Sequence, residues 1–291
     1  MSAAFRIGFI GTGRVAQALA VGLDKAGWSV AAVSNRNFAP ASRLAAQLTG
    51  CIAHADAQAV ADGADLVFLT VPDDAIEGIA QSLRWRRGVA LVHCSGATGL
   101  TVLQSAASQG AAIGAFHPLQ GFSDAQIALR TLPGCAAAIE AAEPLYTKLK
   151  EIAAVLGMRP FALPENARAL YHLSGSYAAS FLAVLLHEAA NIWQSFGIPR
   201  KEALAALSML AQGSLTSIAQ QGPVQALTGP ISRGDAGTLA LHLQSLRDEK
   251  PESLPLYVLL AEHSIEMAQQ RGVPEEAIER MRITLEEAKR I

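Results

Sequence analysis

The stretch FRIGFIGTGRVA, residues 5–16, determines how the first half of the chain folds. Its apolar start predicts a β-strand, and the glycines that follow open a helix. Gly11, Gly13 and Ala16 match the spacing of a dinucleotide-binding loop, in which Ala is tolerated at the third position. Gly11 permits a tight turn, and Gly13 lets the backbone approach a pyrophosphate at the helix N-terminus. The alternative is a purely structural glycine turn. The residues expected to contact the dinucleotide are Gly11, Thr12, Gly13, Arg14 and Val15.

The second predicted strand ends in Ser34, Asn35 and Arg36, where the ribose of a dinucleotide would lie. An NAD-selective site usually places an acidic residue here to accept hydrogen bonds from the ribose hydroxyls. No acidic residue occurs between residues 25 and 56. Arg36 instead offers a planar cation for a 2′-phosphate, with the other two residues as flanking donors. The sequence therefore predicts NADP(H), although Arg36 as an ordinary solvated arginine is the alternative.

The chain divides into two regions of different character. Up to Pro164, short β-rich runs alternate with Ala-rich helical stretches, which is typical of a parallel sheet covered on both faces. After Pro164, strand-like runs disappear and helical patterns are separated by Gly- and Pro-containing breaks. We expect an α/β fold with an N-terminal Rossmann doubly wound sheet (residues 1–164) and an all-α C-terminal domain (residues 165–291). The predicted strands are Phe5–Ile10, Val30–Ser34, Cys51–His54, Leu66–Val71, Val89–Cys94, Ala111–Phe116, Cys135–Ile139 and Arg159–Ala162. The predicted helices of the second region are Glu165–Phe196, Arg200–Gln221, Ala236–Leu246, Pro251–Arg271 and Pro274–Arg290.

Composition excludes several classes of function. The 291 residues are 51% hydrophobic with a net charge of −2, and the absence of a basic block argues against nucleic-acid binding. The longest apolar run, Tyr177 to Leu186, is far shorter than a membrane span, and no signal-peptide pattern begins the chain. Cys51, Cys94 and Cys135 are widely spaced and odd in number, as in reduced proteins. We expect a cytoplasmic protein that does not contact a membrane.

Ligands of open α/β sheets bind beyond the carboxyl ends of the strands, and four residues follow such ends. Val71, Pro72 and Ser95 are expected to position a nicotinamide. His117 lies in a Pro- and Gly-rich turn, where an imidazole could give a proton to the atom that becomes anionic on hydride transfer. The alternative for His117 is a turn-stabilising role. Asp73 is expected to cap the following helix.

The helical region contributes two further groups of candidates. Arg168, His172 and Ser176 recur at helical spacing and form one polar stripe, which suits the wall of a cleft but is also common on half-exposed helices. Arg233 lies in a loop rich in glycine and could bind a substrate carboxylate through two hydrogen bonds, or could simply hold the loop. Asp235 is expected to cap the helix after it.

These motifs together resemble a bacterial family of Rossmann-like proteins with a C-terminal helical domain of unknown function. The resemblance covers the whole chain, and its most specific motif is LTGPISRGD at residues 227–235. The family is similar to ketopantoate reductase, pyrroline-5-carboxylate reductase and prephenate dehydrogenase. Comparable Ser and His-Pro residues of prephenate dehydrogenases lie near substrate and nicotinamide, which implies the same for Ser95 and His117. The lysine of the usual ketopantoate reductases has no counterpart between Lys150 and Lys201, so His117 or His172 would have to donate the proton.

The sequence thus predicts an NADPH-dependent reductase of a C=O or C=N group in a small carboxylate-bearing metabolite, similar to ketopantoate reductase. A homodimer through the helical domain is expected, and no metal is required because a protonated imidazole can stabilise negative charge. The candidate catalytic residues are His117, His172, Ser176 and Arg233. One alternative is a non-catalytic NADP(H)-binding regulator, which would bind NADPH without turnover. The other is a structural protein with a vestigial Rossmann fold.

Overall fold

The computed structural model describes residues 5–164 and 166–290. The chain divides into two compact units, Met1–Ser180 and Phe181–Ile291. The sequence placed the domain boundary earlier, at residue 164. The segment between these two positions carries a helix whose Arg168 side chain is buried against the sheet, which explains why it groups with the first unit.

An eight-stranded sheet forms the centre of the first unit, in the order β3-β2-β1-β4-β5-β6-β7-β8. Its strands are β1 (Arg6–Ile10), β2 (Ser29–Ser34), β3 (Ile52–His54), β4 (Leu66–Leu69), β5 (Ala90–His93), β6 (Ala112–Pro118), β7 (Ala136–Ala141) and β8 (Arg159–Ala162). All eight predicted strands are present. Because β1 lies between β2 and β4, the chain proceeds in opposite directions from it, which creates a topological switch point at its carboxyl end.

The expectation of a parallel sheet is wrong for one pair of strands. β6 and β7 run antiparallel, whereas every other neighbouring pair is parallel. The backbone N–H of Leu119 donates to the carbonyl of Ala136 at 2.8 Å, so the chain turns back at the edge where β6 ends. A parallel pair would require the chain to return from the carboxyl end of β6 to the opposite end of the strands before β7 begins, and the chain does not do so here.

Helices cover both faces of the sheet and bury its apolar strands. Every residue of β4 is buried, as expected for a strand covered on both sides. The rings of Phe9 and Phe68 stack at 5.2 Å on one face, and Phe116 meets Phe68 edge-on. The helices of this unit are α1 (Arg14–Lys25), α2 (Phe38–Ala45), α3 (Ala57–Gly63), α4 (Asp73–Ser82), α5 (Gln104–Ser108), α6 (Ala125–Thr131), α7 (Leu145–Val155) and α8 (Arg168–Ala178).

The second unit is helical, with a core formed by its last three helices. Its helices are α9 (Ser180–Ser195), α10 (Arg200–Ala226), α11 (Ala236–Glu249), α12 (Leu254–Arg271) and α13 (Glu275–Lys289). The predicted single helix Glu165–Phe196 is wrong, because the backbone at Ala179 leaves helical geometry (φ −119°, ψ −68°) and separates α8 from α9. The predicted start of that helix, Glu165, lies outside the described residues.

Apolar side chains are exposed along α9 and α10. They include Val184, Leu185, Met209, Leu210, Leu215 and Ile218. Within the described residues, Arg168–Ser195 is long and apolar enough to cross a membrane by length and composition alone, with a mean hydropathy of 1.4. An exposed apolar helix of this kind is equally suited to contact another protein surface.

Candidate active site

The backbone of the loop after β1 leaves room only for glycine at Gly11. This residue has φ +96°, and a Cβ there would lie 2.5 Å from the carbonyl oxygen of Thr70. Its N–H donates to the carbonyl of Ser34 at 2.9 Å, and the Thr70 hydroxyl donates to its carbonyl at 2.8 Å. The ends of β1, β2 and β4 are therefore tied together around this one residue.

Gly13 differs from Gly11, because the protein itself leaves space beside it. A Cβ at Gly13 would meet no atom closer than the Thr70 carbonyl oxygen, at 3.9 Å. Gly13 is the N-cap of α1, and it has no side chain that could hydrogen-bond the first N–H groups of that helix. Open space above free N–H donors fits a pyrophosphate. Arg14 is in the first turn, where its guanidinium reaches the Phe122 carbonyl at 3.5 Å, and Val15 is half-buried.

Local hydrogen bonds hold Asn35 and Asn37 after β2, whereas no hydrogen bond of the Arg36 side chain is found among the described residues. The Asn35 amide donates to the hydroxyl of the buried Thr12 at 2.6 Å, and Asn37 caps α2. Ser34 is 1% exposed, and its hydroxyl has no hydrogen-bond partner among the described residues. The Arg36 side chain is exposed at the end of β2. This position fits the recognition of a 2′-phosphate by a guanidinium.

The carboxylate of Asp73 does not cap α4, so that expectation is wrong. Asp73 is the first residue of the helix, after Val71 and Pro72, and the N-cap has no side-chain hydrogen bond. The Asp73 carboxylate instead accepts a hydrogen bond of 2.7 Å from the Ser95 hydroxyl. The Ser95 oxygen also accepts the N–H of Thr98 at 3.0 Å. The loops after β4 and β5 are thus joined at the carboxyl edge of the sheet.

His117 belongs to β6 rather than to a turn, which corrects the expectation from the sequence. Its Nδ1 lies 2.7 Å from the Tyr171 hydroxyl of α8. A Cβ added to Gly96 would be 2.7 Å from Nε2 of His117 and 2.5 Å from Cδ2 of His172. The glycine after Ser95 therefore lets both imidazole rings approach the backbone, and three elements converge on one point.

Burial lowers the pKa of His117 to about 4, and the nearby His172 and Arg168 lower it further than Asp73 raises it. The expected protonated imidazole is therefore not available at neutral pH. Burial raises the pKa of Tyr171 to about 12, so its hydroxyl remains protonated. The Tyr171 hydroxyl can therefore donate to Nδ1, and in that arrangement the hydrogen of the neutral imidazole is on Nε2, the nitrogen that faces Gly96.

Arg168 is a buried cation with matched partners. Its guanidinium is 2.7 Å from Oε2 of Glu140 on β7, and it also donates to the Ser95 carbonyl at 3.0 Å. On the same helix, His172 is exposed and Ser176 is half-buried. The residues of the predicted polar stripe therefore have different roles. Arg168 fixes α8 to the sheet, whereas His172 contacts the Gly96 turn. Within the described residues, no hydrogen bond of the Ser176 hydroxyl is found.

His93 lies at the end of β5 and is fully buried. Neither ring nitrogen makes a hydrogen bond among the described residues. Burial lowers the pKa of His93 to about 4, and the Arg168 cation lowers it further, whereas the Asp73 carboxylate and the Gly99 backbone raise it. His93 is therefore a neutral ring beneath the candidate site.

Arg233 lies in the second unit, at the end of a short 3-10 turn, Ile231–Arg233. Its side chain is exposed, and Gly234 after it has φ +74°. Asp235 caps α11 by accepting the N–H of Thr238 at 2.9 Å, as predicted. A carboxylate-binding role for Arg233 stays a prediction.

Sequence reasoning missed three residues of this arrangement. Tyr171, Gly96 and Glu140 were not selected, although Tyr171 adjoins His172 and Gly96 follows Ser95 in the sequence. For Tyr171 and Gly96, the signal that could have found them was that each adjoins a candidate residue in the sequence. Nothing in the sequence indicated that Glu140 would face Arg168 from an antiparallel strand. Within the described residues, no group of three or more metal-ligating side chains is found.

Two family models match the chain. Residues 1–118 match a Rossmann-like domain, and residues 135–264 match a domain of unknown function, DUF2520. The second match begins at Cys135, one residue before β7, so it includes the strand whose Glu140 pairs with Arg168. No curated protein matches the chain.

Solved structures of reductases share the fold over almost the whole chain. A protein of Bacteroides fragilis provisionally named NADP oxidoreductase is 24% identical, with a TM-score of 0.72 and coverage of 90% of this chain and 98% of its own. A 1-pyrroline-5-carboxylate reductase of Streptococcus pyogenes is 16% identical, with a TM-score of 0.64 and 99% of each chain covered. A reductive aminase of Aspergillus terreus, solved with NADPH and ethyl-5-oxohexanoate, is 18% identical, with a TM-score of 0.63 and coverage of 99% and 94%. The chain has the fold of NADP(H)-dependent reductases.

Proposed function

We propose that this protein is an NADPH-dependent reductase of a C=O or C=N group in a small carboxylate-bearing metabolite. The observation that carries the proposal is a juxtaposition at one edge of one sheet. The glycine loop follows the carboxyl end of β1, and the His117–Tyr171 pair stands at the carboxyl end of β6. Dinucleotides and their substrates meet at this edge in open α/β sheets.

NADP(H) is the proposed cofactor, and the residues present fit it. The open space at Gly13 and the free N–H groups of α1 suit the pyrophosphate, and exposed Arg36 suits the 2′-phosphate. The reductive aminase with the same fold is solved with NADPH. When bound, NADPH supplies the hydride. Val71, Pro72 and Ser95 would lie along the nicotinamide.

The role of the His117–Tyr171 pair follows from the geometry around Gly96, and the other roles follow from the sequence. The Nε2–H of neutral His117 would donate a hydrogen bond to the substrate, and Tyr171 would hold the ring in that tautomer. His172 and Ser176 would contribute polar contacts from α8. Arg233 would bind the substrate carboxylate through its guanidinium fork.

A titration and a turnover assay test the proposal together. The full chain should bind NADPH more tightly than NADH, and it should oxidise NADPH in a screen of 2-keto acids and cyclic imines. His117→Ala should lower turnover about 10²-fold without changing NADPH affinity, the scale for losing one aligned donor. Binding without any turnover would support the regulator instead, and no binding would support a vestigial fold.

We also propose that the protein is a cytoplasmic homodimer whose exposed apolar helices face a second copy. Leu210 and Leu215 on α10 are 68% and 51% exposed, which is costly for a monomer in water. Light scattering should give twice the chain mass, and Leu210→Glu should shift the mass toward the monomer. A wild-type monomer at micromolar concentration would refute this proposal.

A further inference from the structure

Arg168 occupies a position that the stability of its helix does not explain. It is the first residue of α8, whose N-cap, Ala167, makes no side-chain hydrogen bond. The helix dipole opposes a cation at this end of a helix. Arg168 is nevertheless only 5% exposed, and the burial of an ion pair is often no more stabilising than an apolar pair of similar size. The role of the charge therefore lies in the contacts that it makes.

The guanidinium of Arg168 joins three separate segments of the first unit. Its Nε and Nη2 donate to Oε2 of Glu140 on β7, at 3.0 and 2.7 Å. Its Nη1 donates to the carbonyl of Ser95, in the loop after β5, at 3.0 Å. Because the donors of a planar guanidinium point in fixed directions, these contacts define the orientation of α8 as well as its distance from the sheet.

The ring of His117 lies between two groups that Arg168 holds. Tyr171 is three residues after Arg168 and shares its face of α8, and the Tyr171 hydroxyl lies 2.7 Å from Nδ1 of His117. At the other nitrogen, a Cβ added to Gly96 would be 2.7 Å from Nε2. Gly96 directly follows Ser95, whose carbonyl accepts from Arg168. One buried side chain therefore fixes both the helix and the turn that contact the imidazole.

We infer that Arg168 is a positioning residue, which holds Tyr171 and the Gly96 turn at the two nitrogens of the His117 ring without touching the substrate. The inference rests on the proposed reductase function, in which His117 donates a hydrogen bond to the substrate. Each of the three guanidinium nitrogens already donates to a protein acceptor. A shift of the helix or the turn would misalign the ring, which lowers turnover more than it weakens substrate binding.

The charge of Arg168 also acts on the His117 ring. Burial is the main cause that lowers the pKa of His117, and His172 and Arg168 lower it further, whereas Asp73 raises it. Loss of the Arg168 cation should therefore raise this pKa, which gives a readout that stability alone does not move. The titratable groups on the elements around His117 are Asp73 on α4, His93 on β5, Glu140 on β7, and Arg168, Tyr171 and His172 on α8.

Two variants of the full chain separate positioning from stability. Arg168→Met leaves the Glu140 carboxylate without its cation, so it should lower the urea midpoint of unfolding. The double variant Arg168→Met/Glu140→Leu removes both charges and replaces them with apolar side chains, so it should recover much of that loss. It cannot restore the hydrogen bond to the Ser95 carbonyl. A purely structural ion pair predicts that the recovered variant behaves like the wild type, whereas a positioning residue predicts that it does not.

Nitrogen-15 NMR of the His117 ring tests the inference without any substrate. In the double variant, we expect the ring nitrogen signals to move away from their wild-type values and the ring to titrate at a higher pH. Arg86→Met is the matched control. Arg86 also pairs with a carboxylate, that of Asp65 at 2.9 Å, and donates to the carbonyl of Ala64, but these residues precede β4 and β5 at the opposite ends of the strands. This control should leave the His117 signals unchanged.

Arg168→Lys tests the same point in a variant that keeps the cation. An ammonium lacks the forked donors of a guanidinium, so the alignment should be lost while the charge remains. We expect the His117 ring signals to move, with a titration closer to that of the wild type than in the double variant. Wild-type ring signals in Arg168→Lys and in the folded double variant would overturn the inference, as would an equal change in Arg86→Met.

Turnover separates this inference from the proposed function. NADPH oxidation would be followed with 1-pyrroline-2-carboxylate, a cyclic imine, and with 2-oxobutanoate, a keto acid. For a probe that the wild type reduces, the double variant should lower kcat about 10-fold and leave KM and NADPH affinity nearly unchanged. An unchanged kcat would overturn the inference and leave the reductase intact. Reduction of neither probe would count against the proposed function, while the ring signals would still decide whether Arg168 positions His117.

Discussion

The hydroxyl oxygen of Tyr171 lies 2.7 Å from Nδ1 of His117, and the two rings meet edge-on with their centroids 5.5 Å apart. The Phe161 ring also packs against the tyrosine, at a centroid distance of 5.8 Å. The phenol therefore has little freedom to turn away from the imidazole. When the phenol donates in this contact, the hydrogen of the neutral imidazole is on Nε2, the nitrogen that faces Gly96.

Tyr171→Phe should allow His117 to change tautomer, while the aromatic ring at position 171 keeps its packing. The donor to Nδ1 favours the neutral imidazole, so its loss should raise the pKa of His117 and populate the Nδ1–H tautomer. Nitrogen-15 NMR of the ring reports both changes without any substrate. If turnover depends on this alignment, kcat/KM should fall about 2- to 10-fold, the worth of one neutral hydrogen bond.

The second unit contains a matched control for this substitution. The Tyr257 hydroxyl lies 2.8 Å from Nδ1 of His242, with the rings also edge-on. Tyr257→Phe should change the ring signals of His242 and leave those of His117 and the reaction rate unchanged. An unaltered His117 spectrum in Tyr171→Phe would show that the phenol does not set the tautomer.

Arg36→Ala should discriminate between the two cofactors. The exposed guanidinium at the end of β2 is expected to pair with the 2′-phosphate, which only NADPH has. We expect NADPH binding to weaken by about 1.5–3 kcal/mol and NADH binding to remain nearly unchanged. Calorimetry with both cofactors measures the difference. Arg87→Ala, an exposed arginine on the loop before β5, is the control. Equal losses for NADPH and NADH would exclude a 2′-phosphate role.

Gly13→Val should abolish dinucleotide binding in a protein that still folds. The nearest atom to a Cβ there is 3.9 Å away, so a branched side chain finds space in the free protein and fills the place of the pyrophosphate. Gly11→Val is the contrast, because its Cβ would collide with the Thr70 carbonyl and its φ is positive. The first variant should keep its thermal unfolding temperature, and the second should lose stability. A folded Gly13→Val that binds NADPH normally would place the cofactor elsewhere.

The strands and the glycine loop could be predicted because their signals are local. β4 is apolar at every position, and Gly11 and Gly13 are only two residues apart in the sequence. The antiparallel direction of β7 could not be predicted, because a short strand has the same apolar pattern in either direction. The break at Ala179 was missed for a similar reason, since α8 and α9 read as one continuous helical pattern.

The candidate site was only half predictable, because its contacts join distant segments. His117 and Ser95 were found from their place after strands, which topology alone provides. The partners that determine their chemistry were not found. Asp73 is 22 residues from Ser95, and Tyr171 is 54 residues from His117. The protonation state of His117 depends on burial, which the Gly- and Pro-rich sequence around it did not suggest.

His93 should make the stability of the first unit depend on pH. Its pKa is about 4 in the folded chain and 6.5 ordinarily, so between these values the unfolded chain takes up a proton that the folded chain does not. The free energy of unfolding should therefore fall as the pH drops from 6.5 toward 4, by about 1–2 kcal/mol for this residue at pH 5. His117 has the same shift and adds a second contribution. His93→Leu should remove about half of the loss, and it breaks no hydrogen bond because neither ring nitrogen has one among the described residues.

Urea unfolding at pH 7 and pH 5 measures the difference. It would be followed by the fluorescence of the buried Trp85, with the other two tryptophans replaced by Phe. His263→Gln is the control, since that side chain is 68% exposed and should leave the pH dependence unchanged. The same loss of stability in His93→Leu as in the wild type would show that His93 is already charged or solvated in the folded chain.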